Sequence, residues 1–199
     1  KMFYVGPMFR YERPQKGRYR QFAQFGAEAF GSNSPQLDAE IIAYAVSVLK
    51  ALKIKDVNVH INSIGDAESK SNYKKALLDY LKDDITNLCG DCQNRYITNP
   101  LRILDCKVDK GNPVLDNAPK PMDYLNETSK MHFDLTVKYL DAMGINYVVD
   151  TNLVRGLDYY THTVFEVKAN LETLGAQNTI CGGGRYNNLV KSLDGPDTP

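Results

Sequence analysis

The sequence predicts an α+β chain, and three observations carry that prediction. Strand-like runs open the chain and return in its last third, amphipathic helical periodicities fill the middle, and the composition shifts between the two. With 199 residues, 43% of them hydrophobic and 24% charged, the chain can bury one sizeable core with a small appended unit.

The first element is a hairpin. Residues 2–12 are β-rich, and Arg13-Pro14-Gln15-Lys16-Gly17 is a polar connection punctuated by Pro14 and Gly17. From Arg18 onward, Arg18, Arg20, Phe22, Gln24, Gly26 and Glu28 fall on one side of a pleated strand, with Tyr19, Gln21, Ala23, Phe25 and Ala27 on the other. The second side suits packing. The first carries two cations, an aromatic plate, an amide and a carboxylate in order, which reads as a floor for an extended ligand with matching parts. At about 3.3 Å per residue, Phe22 to Glu28 spans roughly 20 Å, the length of a nucleotide joined to a small polar group. Arginines meet phosphate, and Phe22 can stack a base. Residues 10–20 also hold five basic side chains against one acid, Glu12, in a chain of formal net charge zero. A solvated hairpin tip with arginines paired to surface acids is the plain alternative.

An amphipathic helix over residues 35–54 follows, with Ile41, Ile42, Ala45, Val48, Leu49 and Leu52 on its inner stripe. Residues 56–63 alternate Val57, Val59 and Ile61 with Asn58, His60 and Asn62, a half-buried strand with His60 toward solvent. Asp66 can cap a helix through Leu81, whose inner face is Tyr73, Leu77, Leu78 and Leu81; Lys70, Lys74 and Lys75 form its solvated face. Residues 89–117 read as irregular, and Asn126 or Thr128 opens a helix that contains His132 and stops at Gly144. The composition shift marks residues 65–144 as an inserted, mainly helical unit, with residues 1–64 and 145–199 as the core.

Strand signals return at residues 147–149, 159–167 and 179–181, and these strands are expected to rejoin the hairpin. Tyr159 and Tyr160 are adjacent, so on a strand only one of them can face a given cavity. Gly182, Gly183 and Gly184 stand between a strand and a helix over residues 187–193 and permit close backbone approach. They do not form a nucleotide phosphate loop, because no Gly-Lys-Ser/Thr follows.

No run of eighteen apolar residues and no signal-like amino terminus is present; the chain opens inside a strand-like run and ends in a loop-like one, which reads as a cut from a longer protein. Four cysteines fit a reducing compartment without a disulfide framework. Cys89 and Cys92 form one Cys-x2-Cys with Cys106 nearby and no obvious fourth ligand, so reduced thiols and no metal are expected. His162 lies near the tyrosine pair with no catalytic role assigned to it.

Three separated stretches resemble one family. Phe9-Arg10-Tyr11-Glu12-Arg13-Pro14-Gln15-Lys16-Gly17-Arg18-Tyr19-Arg20-Gln21-Phe22 is similar to class II motif 2 in its histidine-specific form. Leu153-Val154-Arg155-Gly156-Leu157-Asp158-Tyr159-Tyr160-Thr161 and Gly183-Gly184-Arg185-Tyr186-Asn187 resemble the two histidine-specific signatures of the histidyl-tRNA synthetases. Thr98-Asn99-Pro100-Leu101-Arg102-Ile103-Leu104-Asp105-Cys106-Lys107 is similar to the insertion domain of bacterial members, so the resemblance covers essentially the whole chain.

The resemblance implies a class II synthetase-like antiparallel sheet flanked by helices. It implies a cytoplasmic histidine–tRNA ligase that activates L-histidine with ATP and Mg2+ to histidyl-adenylate and transfers it to tRNA(His), as a homodimer in the full-length parent and with no membrane. By similarity Arg10 would hold the α-phosphate, Arg18 the outer phosphates, Phe22 would stack on adenine, and Glu12 would lie near adenine or ribose. Arg155 would reach the α-phosphate from the side opposite Arg10, which makes Arg10 and Arg155 the catalytic pair. Gln24, Glu28, Arg155 and Tyr159, with Tyr160, Gly183 and Tyr186, would form the histidine pocket. Class II motif 1, the Thr-Pro-Glu loop and motif 3 are not in this chain. Position 23, commonly histidine, is Ala23 and is expected to point away from the ligand; Asn187 stands where aspartate is common. Two other readings are a synthetase-like regulatory subunit of ATP phosphoribosyltransferase that binds histidine without charging tRNA, and a tRNA-sensing pseudo-synthetase. Arg10, Arg18 and Arg155 weigh against the first, which has little need for arginines on two sides of a reacting phosphate, and the motif decay expected of the second is not seen.

Overall fold

The computed structural model describes residues 1–11, 14, 18–155, 159–169 and 178–199. In chain order the elements are β1 (Met2–Phe9), β2 (Gln21–Glu28), α1 (Pro35–Ala51), β3 (Val57–Ser63), α2 (Ala67–Leu81), α3 (Gly90–Thr98), α4 (Pro113–Asp116), α5 (Glu127–Ala142), β4 (Tyr147–Val149), β5 (Thr161–Ala169), β6 (Thr179–Arg185) and α6 (Leu189–Ser192), with short 3-10 turns between α2 and α5.

The helices begin where their caps dictate. Ser34 accepts the Gln36 N–H at 3.3 Å and Pro35 supplies a preset first turn, so α1 starts there and lays Ala39, Ile42 and Leu49 into the core. It stops at Ala51, short of the predicted Ile54, because Lys53 and Asp56 turn the chain through positive φ angles of 60° and 55°. Asp66 accepts the Ser69 N–H at 2.9 Å, and α2 runs to Leu81 with Tyr73, Leu77 and Leu81 buried, as predicted. Asn126 caps α5 in the same way through Ser129, and Gly144, at φ 66°, ends that turn.

Two sheets form. β1 and β2 pair antiparallel from Met2 opposite Glu28 to Phe9 opposite Gln21. The second sheet has the order β4-β3-β5-β6, antiparallel except for the short β3–β4 pair, which is parallel. The returning strands therefore do not rejoin the hairpin: among the described residues the hairpin pairs only with itself, and a cavity lies where a shared ladder was expected. Apolar side chains of the hairpin stay uncovered, with Phe3 79%, Val5 74% and Phe9 74% exposed. The three glycines sit inside β6 rather than in a turn after it, and the helix expected over residues 187–193 contracts to α6.

Among the described residues the interior holds three apolar clusters, a small one of Ile64, Leu153, Tyr160 and Val164 beside two larger ones. Of the larger two, the first joins α1 and α5 to β3 and β5 through Ile42, Ile61, Phe133, Leu140, Phe165 and Val167. The second collects Tyr73, Leu77 and Leu81 of α2 with Leu88, Cys92 and Ile103. Residues 89–117, read as irregular, hold α3, α4 and a 3-10 turn at Pro100–Ile103. The first six of the nine residues of α3 are Gly-Asp-Cys-Gln-Asn-Arg and its only buried residue is Cys92, so no apolar stripe announces it.

The strand expected to be half-buried is so only at its start. Ile61, Asn62 and Ser63 are fully enclosed because β3 is an inner strand, between β4 and β5. His60 consequently does not face solvent freely; its Nδ1 lies 3.1 Å from Asp150 Oδ2. Among the described residues, no helix is long and apolar enough to cross a membrane.

Candidate active site

Between β2, the start of β5 and β6 lies a cavity of about 880 Å3, within the usual range for a nucleotide- or drug-sized ligand. Its hairpin wall includes Gln24 and Glu28. Arg155, Tyr159, Tyr160, Gly183 and Tyr186 line the opposite side, so the seven residues assigned to the histidine pocket share one cavity. Arg10, Arg18 and Phe22 are not part of its lining. Arg10 lies farther along the hairpin with its guanidinium carbon 3.7 Å from the centre of the Phe22 ring, a cation–π contact. Arg18 sits at an isolated bridge just before β2, and Glu12 lies outside the described residues.

The pocket is built around one carboxylate. Glu28 ends β2 and accepts a hydrogen bond from the Tyr186 hydroxyl through Oε2. Burial, followed by this bond to Glu28, pushes the Tyr186 phenol well above its usual range, so it stays a donor at any physiological pH. Burial and the neighbouring Tyr160 likewise push Tyr159 up to about 12. The rings of Tyr159 and Tyr160 lie 4.9 Å apart and both face the cavity. Strand alternation does not separate them, because β5 begins only at Thr161. On the hairpin side Gln24 donates to the Tyr4 hydroxyl at 3.1 Å. Ala23 and Phe25 border the cavity as well as Gln24. Among the described residues β2 pairs only with β1, and residues of both parities border the cavity.

Arg155 enters over the glycines of β6. Its Nη1 donates to Glu166 Oε1 at 2.5 Å, and Glu166 also accepts from the Thr179 hydroxyl at 3.1 Å. A Cβ at Gly182 would lie 2.9 Å from that same Nη1, and one at Gly184 would lie 2.7 Å from the Thr163 carbonyl. The glycines thus leave room for the Arg155 guanidinium over Gly182, the Phe165 ring at Gly183 and the Tyr160 ring at Gly184. The loop that carries Arg155 is fixed from below: the enclosed Asn62 side chain donates to the Leu153 carbonyl at 2.9 Å and the Thr151 carbonyl at 3.3 Å.

Beside the cavity runs a buried polar chain that the sequence did not disclose. Arg185 donates to Asp38 Oδ1, and His132 Nε2 is 2.7 Å from Asp38 Oδ2. Burial raises the Asp38 pKa, but hydrogen bonds from His132 and Arg185 outweigh it and hold the carboxyl below its usual range. Arg185 reaches further to the carbonyls of Ser32 and Ser34 and to Asn187 Oδ1. Asn187, where aspartate was expected, is therefore an acceptor in a structural network. Lys70, assigned to the solvated face, turns inward and donates to the Tyr160 carbonyl at 3.0 Å.

The profile of the histidyl-tRNA synthetase family matches this chain over residues 1–199. The chain belongs to that family. The histidine–tRNA ligases of Acholeplasma laidlawii and Macrococcus caseolyticus are 56% and 54% identical to it, over 100% and 98% of its length and 47% of theirs. The crystal structure of apo Staphylococcus aureus histidyl-tRNA synthetase superposes with a TM-score of 0.77 at 43% identity, covering 98% of this chain and 46% of that one. A Bacillus halodurans structure titled as an ATP phosphoribosyltransferase regulatory subunit/histidyl-tRNA synthetase shares the fold, with a TM-score of 0.62 at 22% identity. The chain spans about half the length of the curated relatives it matches.

His162 is a strained, half-buried residue at the edge of this site. It adopts a positive φ of 47° at a bulge in β5, and its ring stacks on His132 at 4.6 Å. Burial, with His132 against it, pulls its pKa from 6.5 down to about 4. Between those values the unfolded chain binds a proton that the folded chain does not, so stability falls as pH drops through that window. The loss should be about 1–2 kcal/mol once screening at the partly exposed ring is allowed for. His162→Asn, which tolerates the backbone angle and does not titrate, should flatten the pH 4 to 6.5 arm of a urea-melt series.

Proposed function

We propose that this chain forms the amino-acid-activating site of a histidine–tRNA ligase, which joins L-histidine to ATP as histidyl-adenylate and passes it to tRNA(His). The observation that carries the reading is that the Glu28 carboxylate, the tyrosine cluster and Arg155 line a single cavity. Imidazole has two nitrogens to satisfy. Glu28 can accept from a ring N–H, and a phenol can answer the other nitrogen as donor or acceptor. Gln24 at the hairpin wall is placed for the main-chain part of the amino acid.

Arg155 then supplies positive charge where the histidine carboxylate attacks the α-phosphorus and the phosphoryl oxygens gain charge. Arg10 takes the other side after leaving Phe22, an exchange that costs about 1–2 kcal/mol for this half-buried cation–π contact, and the freed ring face accepts the adenine. Arg18 holds the outer phosphates and Glu12 the adenine or ribose. The carboxylates lining the cavity, Glu28 and Asp38, are already engaged by Tyr186 and by His132 with Arg185. The described residues therefore offer no ready cage for Mg2+, and no step is assigned to it beyond its usual company with the phosphates. Residues 65–144 remain, in this reading, an inserted unit around the second core, and the full-length enzyme acts as a homodimer.

The test is ATP–pyrophosphate exchange by the full-length protein. Exchange should depend on histidine and be absent with the other amino acids. Histidine binding by calorimetry without any exchange would overturn the reading in favour of a regulatory one.

A further inference from the structure

Away from the cavity, four metal-binding side chains converge in the second core. The sulfurs of Cys89, Cys92 and Cys106 and a carboxylate oxygen of Asp109 all lie within 4.8 Å of one another. The sequence showed three of these and no fourth ligand; the fold supplies Asp109. We propose that these residues form a structural zinc site.

The distances fit one ion. A tetrahedral zinc with metal–sulfur bonds of about 2.3 Å and a metal–oxygen bond of about 2.0 Å sets sulfur atoms about 3.8 Å apart and sulfur and oxygen about 3.5 Å apart. Cys89 Sγ is 3.6 Å from Cys106 Sγ, and Cys106 Sγ is 3.4 Å from Asp109 Oδ2. The cysteines are free, so no disulfide competes for the sulfurs. Three thiolates with one carboxylate favour zinc over magnesium or calcium, which take oxygen ligands.

The backbone is arranged in two matching halves. Cys89 is the N-cap of α3 and Cys92 lies in its first turn; Cys106 and Asp109 repeat the same x2 spacing after the Pro100–Ile103 turn. In each half the N–H of the second ligand donates to the sulfur of the first, Cys92 to Cys89 and Asp109 to Cys106, the latter at 3.5 Å. Asp109 is in turn held by the Cys89 N–H, 3.2 Å from Oδ1 and 3.1 Å from Oδ2. These bonds fix the donors facing one point and temper the charge of the thiolates.

The role follows from the packing. Cys92 and Cys106 belong to the second core, whose fully buried members are few for the several short helices and turns it must hold. Small units of this kind gain stability from a metal staple. Zinc would tie the start of α3 to the segment after the 3-10 turn, closing the short helical loop between them.

The decisive measurement is zinc content of the full-length protein purified without chelators or metal-affinity resin, read by mass spectrometry of the element. About one zinc per chain is expected. Co2+ exchanged into the site should give the visible absorption of a four-coordinate thiolate ion. Asp109→Asn and Cys89→Ser should weaken zinc about 100-fold or more, whereas Asp109→Cys, which restores a fourth ligand, should retain it. Retention by Asp109→Cys separates loss of a ligand from loss of the fold. Metal-free protein that stays so after dialysis against zinc, with Cys89 and Cys106 reacting as ordinary thiols or joined as a disulfide, would overturn the proposal.

Discussion

Arg155→Ala should reduce histidine-dependent pyrophosphate exchange by the full-length protein about 10^3-fold, the cost typical of removing one group that stabilises developing charge. The guanidinium lies over Gly182 of β6, pinned by Glu166 at 2.5 Å and carried on a loop fixed by Asn62. Its position is therefore set before substrate arrives, and preorganised charge of this kind acts on the transition state more than on the ground state. Calorimetric affinity for histidine should change far less than the exchange rate. Arg155→Lys should not restore activity, because an ammonium cannot keep the planar two-sided contact between Glu166 and a phosphate. An equal loss of histidine affinity and of rate would assign Arg155 to binding alone and remove it from the chemistry.

Glu28→Gln should act at the other end of the cavity and show the opposite kinetic pattern. A charge-assisted hydrogen bond to a buried imidazole N–H is worth about 2–3 kcal/mol, or roughly 30–150-fold in KM for histidine. Glutamine keeps the size of the side chain and an acceptor for the Tyr186 hydroxyl, so kcat at saturating histidine should fall much less than kcat/KM. Tyr186→Phe should have a smaller effect in the same direction, since it leaves the carboxylate in place. If Glu28→Gln lowers kcat and leaves KM unchanged, the carboxylate does not read the imidazole.

Much of this was legible from local chemistry. Pro35, Asp66, and Asn126 with Gly144 mark helix ends that the structure honours, because caps act within one turn of chain. The alternation of residues 56–63 gave β3, whereas Gln24 and Glu28 share the cavity with residues of the other parity, so strand parity alone did not select them. What escaped depends on contacts distant in sequence. Arg185 meets Asp38 across 147 positions, and nothing near either residue announces the other. The glycines of β6 read as a turn because glycine weakens strands; only the ring and guanidinium laid over them explain a strand there. Asp109 escaped for the same reason, since the helix and turn that bring it to the thiols were themselves unseen.

Among the described residues the hairpin and the four-stranded sheet share no ladder, and facing walls of the cleft belong one to each. A molecule lodged there works as mortar between two separately laid courses. Ligand occupancy should therefore appear as protection of β1 and β2 amides from hydrogen exchange, and as a rise in melting temperature that grows with ligand concentration. Histidine and ATP together should give more of both than either alone.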